Sequence, residues 1–173
     1  REAAAAEVVA HGVPNRWWVS GRYGSAGVAA LDEVFEPERW LPSSSPEWSQ
    51  IPQGRGGDRP WVSLELPALD LEVSLNDDLC GQPGAVAYAA SDVSFPAESS
   101  GYVAYQGPSA RIWVEGVLVA QINRQRDPQD QTQWFPVQWR LGVNRVVVKC
   151  LAPSKFSLRA VTKQAAGAQS EGV

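Results

Sequence analysis

The sequence predicts an all-β fold, a sandwich of two antiparallel sheets, on three observations within residues 110–162. Apolar residues alternate with polar ones at Ile112/Val114 and again at Phe135/Val137, the two-residue period of a strand with one buried face. The run Val146-Val147-Val148 is apolar on both faces, as in a central strand covered from both sides. Turn signals punctuate the stretch: Glu115-Gly116 suits a tight hairpin, and Leu141-Gly142-Val143-Asn144 makes a second turn. Four or five antiparallel strands in about fifty residues is an all-β pattern.

The other elements follow in order. Residues 1–12 are rich in Ala and Glu, have high helix propensity and stop at Gly12, with Pro14 beyond. Such a short helix is marginal alone, so 1–14 is expected to be a docking segment. Trp17-Trp18-Val19-Ser20-Gly21 predicts a first strand. Residues 31–60 carry Pro37, Pro42, Pro46, Pro52 and Pro60 with Gly54, Gly56 and Gly57, and predict a long irregular loop with one helical turn near Leu31–Phe35. A loop of that length is usually functional or packed on a neighbour, with Trp40 and Trp48 as its anchors. Trp61–Leu66 and Leu69–Leu75 alternate cleanly; Asp70 and Glu72 fall on the wet face of the second. Ala85–Phe95 and Gly101–Tyr105 are further strands. The domain is thus expected over 15–163, with a polar tail at 164–173 that needs a partner surface to be ordered. We expect Ile112, Val114, Val137, Leu141, Val146 and Val148 between the sheets.

At 173 residues the chain is long enough for one domain with a core of its own. A net charge of −4 argues against nucleic acid as a partner, which would select a basic face. No apolar run approaches the length of a transmembrane helix. The chain opens on Arg1 and contains no Met, so a leader or an anchor ahead of it is expected, and with it an extracytoplasmic (periplasmic or secreted) location or membrane association through a partner. Cys80 and Cys150 either form one disulfide or remain two buried thiols.

The turn-and-strand series resembles galactose-binding-domain-like β-sandwiches, found in carbohydrate-binding and accessory modules. Those modules share an aromatic-aliphatic-Asn-Gly hairpin, a polar loop, a Leu-x-x-Gly-x-Asn turn and an aliphatic strand ending in Lys. Here the hairpin is Ile112-Trp113-Val114-Glu115-Gly116, with Glu115 where Asn is usual; the turn is Arg140–Asn144, and the strand ends at Lys149. The resemblance spans roughly residues 60–162 and implies a jelly-roll-type sandwich. It specifies turns and strands, not a ligand.

Chemistry is sparse. The one histidine, His11, precedes the sandwich, which argues against a Ser-His-Asp or Cys-His device. His11, Cys80 and Cys150 are too scattered for zinc. Glu65, Asp70, Glu72, Asp92, Glu98 and Glu115 lie on or beside strands and are the residues from which a glycosidase carboxylate pair would have to come; the ordinary use of Asp70 and Glu72 is the solvated face of a half-buried strand. Asn76-Asp77-Asp78 offers oxygens to a structural calcium but equally makes a plain Asx turn; no other cofactor is expected.

Tryptophan is the unusual feature, with eight copies, of which at least half are expected in the core. With Ile112 and Val114 inward, Trp113 points outward beside Arg111 and Glu115. With Phe135 and Val137 inward, Trp134 points outward and Trp139 inward. Trp113 and Trp134 are joined by a polar loop carrying Arg124 and Arg126, and are expected to share an aromatic contact surface. The candidate contact residues are Trp40, Trp48, Trp113, Trp134, Arg124 and Arg126. The expected function is a non-catalytic interaction module, an extracytoplasmic accessory or structural subunit bound to other protein subunits. The alternative is a carbohydrate-binding module that uses exposed tryptophans.

Overall fold

The computed structural model describes residues 14, 16–24, 28–35, 37–38, 62–66, 72–75, 85–123, 131–152 and 154–163. It is an all-β sandwich of two antiparallel sheets. The strands are β1 (Arg16–Tyr23), β2 (Val62–Glu65), β3 (Glu72–Leu75), β4 (Val86–Phe95), β5 (Ser99–Gln106), β6 (Ala110–Val114), β7 (Val117–Ile122), β8 (Gln133–Trp139), β9 (Gly142–Leu151) and β10 (Ser154–Thr162). One sheet has six strands in the order β2-β1-β4-β9-β6-β7; the other has four, β3-β10-β5-β8. From β3 onward nearly every connection crosses between sheets, the β6–β7 hairpin excepted. The expected N-terminal helix at 1–12, the tail 164–173 and the body of the Pro/Gly loop lie outside the described residues.

The register is the one that alternation predicts. Ile112, Val114, Val146 and Val148 are buried between the sheets, with Val19, Val73, Val103, Phe156 and Leu158. β9 sits between β4 and β6, and both its faces are covered: Val146 and Val148 pack between the sheets, and Val147 packs outside them against Tyr23, Phe35 and Trp113. Val137 is only half-buried, because β8 is an edge strand. Its Pro136 is tolerated there, since an edge strand has one side free of ladder bonds. Trp139 is fully buried, stacks on Phe95 at 4.9 Å and donates its indole N–H to the Val161 carbonyl at 3.1 Å. That approach requires Gly101: a Cβ there would stand 2.0 Å from the Val161 oxygen and 2.8 Å from the indole nitrogen. Trp17 is also buried, edge-on to Phe156 at 5.4 Å.

Two expectations are corrected. Leu141 is not core but 68% exposed. The turn is built inward from Asn144, which is fully buried. Asn144 Oδ1 accepts from the Arg140 N–H at 2.9 Å, and Nδ2 donates to the carbonyls of Arg140 and Gly142 at 3.0 and 3.1 Å. With those backbone groups satisfied and Gly142 at φ 87°, the chain swings Leu141 out. The helical turn also falls earlier than expected, as a 3-10 turn at Val28–Leu31.

The β6–β7 hairpin explains the unusual Glu115. Glu115 (φ 50°) and Gly116 (φ 79°) both occupy positive φ, as a two-residue type I′ turn demands. Asn or Gly fits that position more easily than Glu. The carboxylate offsets the strain: Oε1 accepts from the Arg145 N–H at 2.5 Å and Oε2 from the Arg140 guanidinium at 2.7 Å. It thereby ties this hairpin to the β8–β9 turn.

Replacing Asn144 with Ala should destabilise the domain by about 2–3 kcal/mol, since buried backbone groups lose their partners. Leu141→Ser should stay within about 0.5 kcal/mol. Urea denaturation of the two variants checks both.

Candidate functional site

The two sheets present two outer faces of opposite character. On the six-stranded sheet, Tyr88 and Ala90 of β4, Val147 and Lys149 of β9 and Trp113 of β6 point away from the sandwich core. Residues 28–35 and 37–38 lie over this face as a strap. It adds Ala30, Leu31 and Phe35, which pack with Tyr23, Val86 and Leu151.

At the centre of the strap contact is a buried charge pair. Lys149 Nζ, fully buried, lies 2.8 Å from Glu38 Oε2 and also donates to the Glu33 carbonyl. The same carboxylate oxygen accepts from the Tyr88 hydroxyl at 2.5 Å and from the Phe35 N–H at 3.2 Å. The ammonium stands 5.1 Å from the Phe35 ring centre and 5.7 Å from that of Tyr88. Burial, and then the hydrogen bond and charge of Glu38, hold the Tyr88 phenol far above its ordinary range. Beside this pair, Arg111 is buried and meets Asp32 of the strap at 2.9 Å. These groups spend their hydrogen bonds on one another, so the cluster acts as a clamp. Glu38 went unnoticed in the sequence; the available signal was Lys149 itself, a cation on a strand covered from both sides, which requires a buried acceptor.

The outer face of the four-stranded sheet mixes polar and apolar side chains: Ala104 and Val161 are buried on it, while Ser100, Trp134, Pro136, Gln138 and Lys163 are exposed. Its rows follow from the register: Arg159, Ala104 and Trp134 in one; Val161, Tyr102 and Pro136 in the next; then Ser100 and Gln138, hydrogen-bonded at 2.9 Å. Trp134 is 40% exposed. Tyr102 meets it edge-on at 6.1 Å, and the Arg159 guanidinium lies 5.6 Å from its ring centre. Next to this aromatic pair runs an open groove of about 400 Å³, lined by Ser100, Tyr102, Pro136, Gln138 and Lys163 with backbone of Gly101 and Val137.

The predicted contact residues are therefore not one surface. Trp113 and Trp134 belong to different sheets and face opposite ways. Trp113 does point outward, but it is half-buried against Tyr88 and Val147, and its expected exposed neighbour Arg111 lies buried against the strap. Trp40, Trp48, Arg124 and Arg126 lie outside the described residues. So do Cys80, Asn76-Asp77-Asp78 and His11; Cys150 is buried on β9 against the core. Among the acidic candidates, Glu72 meets Lys155 at 3.3 Å and Asp92 meets Arg145 at 3.0 Å, while Glu115 is held as above. Among the described residues no group of three or more His, Cys, Asp or Glu side chains is arranged to hold a metal ion, and no helix is long and apolar enough to cross a membrane.

No family model matches the chain, and no curated protein matches it by sequence. Solved structures similar to it include a β-glucosidase from Kluyveromyces marxianus in complex with glucose (10% identity, TM-score 0.47, 86% of this chain and 16% of that one). Two more are β-glucuronidases, from an uncultured Clostridium sp. (12% identity, TM-score 0.46, 87% and 28%) and from Faecalibacterium prausnitzii (16% identity, TM-score 0.43, 80% and 21%). The chain thus spans less than a third of each of them. Likenesses of this size carry no argument about ligand or activity.

Glu38→Gln should cost about 3–5 kcal/mol, because Lys149 is left as an uncompensated buried charge. The double variant Glu38→Leu/Lys149→Met should recover a large part of that loss, which thermal or urea unfolding would reveal. Stability should also fall at alkaline pH. Below pH 10.0, the phenol's ordinary value, Tyr88 is protonated folded or unfolded. Above it the unfolded phenol ionises while the folded one stays neutral, so up to about 1.4 kcal/mol is lost per pH unit. Tyr88→Phe should remove that share of the alkaline loss, measured as the slope of stability against pH.

Proposed function

We propose that this chain is a non-catalytic binding module whose ligand face is the outer surface of the four-stranded sheet, and that the ligand is carbohydrate. The observation that carries the reading is Trp134: a 40%-exposed indole on a regular strand, braced by Tyr102 and set beside a groove with hydroxyl, amide and ammonium groups. A flat apolar ring with polar groups around it matches a sugar, which has a C–H face and hydroxyls at its edge. Rigid strands hold these groups in place without the ligand, which limits the ordering cost of binding. A galactose-binding-like jelly roll in an extracytoplasmic setting belongs to the same proposal.

The test is a glycan array followed by calorimetry on the hits. Trp134→Ala should weaken binding about tenfold or more while the melting temperature stays near that of the wild type. An array blank for the wild-type protein would rule this reading out.

A second reading, an accessory subunit of a larger assembly, is favoured by a different feature. Val117 and Leu118 of the β6–β7 hairpin and Leu141 and Val143 of the β8–β9 turn are exposed, and the Arg140–Glu115 ion pair ties the two turns together. Exposed apolar side chains on two turns tied by an ion pair suit a contact whose apolar part is buried and whose charged groups lie at the rim. Co-purification from the native source should then capture partners with the wild type and lose them with Leu118→Glu. Equal recovery by both forms would remove this reading.

A further inference from the structure

Resting on the carbohydrate reading, we propose that the ligand is an acidic oligosaccharide and that Lys163 is the residue that selects its anionic groups. Among the described residues lining the groove, Lys163 alone carries a charge. It follows the last residue of β10, is exposed, and among the described residues has no carboxylate within ion-pair distance. Beside it the Ser100–Gln138 pair offers a hydroxyl and an amide to sugar oxygens. The next cation along the same strand face is Arg159, four residues away or about 13 Å, set against the Trp134 ring. Farther along, Lys155 is matched by Glu72.

This local sign opposes the rest of the chain. The protein carries 19 acidic and 15 basic residues, so an anionic ligand is repelled by the net charge of −4 and needs a cationic landing site to approach. A neutral glycan can accept a hydrogen bond from the ammonium but gains no charge pairing there. An ammonium beside an amide, with the Trp134 ring farther along the same face, recognises a carboxylate or sulfate on one sugar of an oligosaccharide whose next residues lie along the aromatic row.

The experiment compares wild type, Lys163→Gln and Lys155→Gln against four probes of matched length: a neutral β-glucan oligomer, an oligogalacturonide, a sulfated galactan oligomer and an oligoglutamate peptide. The wild type should prefer an acidic glycan over the neutral one by about tenfold at low salt, with the preference shrinking as salt rises. The two acidic glycans separate a carboxylate from a sulfate as the group selected. Lys163→Gln should abolish the preference, and Lys155→Gln should keep it. Equal binding of neutral and acidic glycans by the wild type overturns the inference while the carbohydrate reading stands. Oligoglutamate binding as tight as the best glycan overturns the acidic-sugar class. No glycan binding at all overturns the carbohydrate reading and the inference with it.

Discussion

The Lys149–Glu38 contact is the constraint on which the six-stranded sheet depends. Lys149 lies in the middle layer of the molecule, on a strand flanked by β4 and β6, with no solvent access. A buried ammonium is tolerable only if a counter-charge and hydrogen bonds replace water. The strap supplies both, Glu38 as the charge and the Glu33 carbonyl as the second acceptor. Tyr88 completes the set from the neighbouring strand. The ion pair joins the strap to the sheet at a defined point, beside which Phe35 meets Tyr23 at 5.5 Å and Asp32 meets Arg111.

That dependence also explains what the sequence revealed and what it hid. Strands with one wet face announced themselves by alternation, because the period of two is imposed locally by the pleat. Glu72 and Ser74 out, Val73 and Leu75 in, is one such case. The Asn144 turn and the Glu115-Gly116 hairpin were legible for the same reason: the residues that close them are within a few positions of each other. The strap was not. Glu38 and Lys149 are 111 residues apart, and neither position has a periodic signature. The all-apolar run around Val147 did say that something covers both faces of β9, without saying what.

The candidate site was half legible. Alternation correctly turned Trp134 outward and Trp139 inward. It also turned Trp113 outward, but outward from a strand means only away from the sandwich core. On the six-stranded sheet that direction leads beneath the strap, where Arg111 is buried too. Chain adjacency then misled: segments joined by a loop were taken to share a surface, yet β7 and β8 lie in different sheets, so the connection carries the chain from one side of the molecule to the other.

The asymmetry of the two faces is what directs attention to the four-stranded sheet. A sheet packed on both sides has no side chains left to offer a ligand, and the six-stranded sheet is in that condition wherever the strap lies. The opposite face carries Ser100 and Gln138, two rings in contact, Tyr102 and Trp134, and the cations Arg159 and Lys163. An isolated exposed indole needs no explanation by itself, since folded proteins expose much apolar surface. Here the ring is held by an aromatic edge and a guanidinium, so its orientation is fixed before any ligand arrives. A fixed, partly solvated ring at the side of a polar groove is unfavourable for the free protein compared with a polar residue at the same place. Contact with a ligand that has both an apolar face and hydrogen-bonding edges would offset that cost.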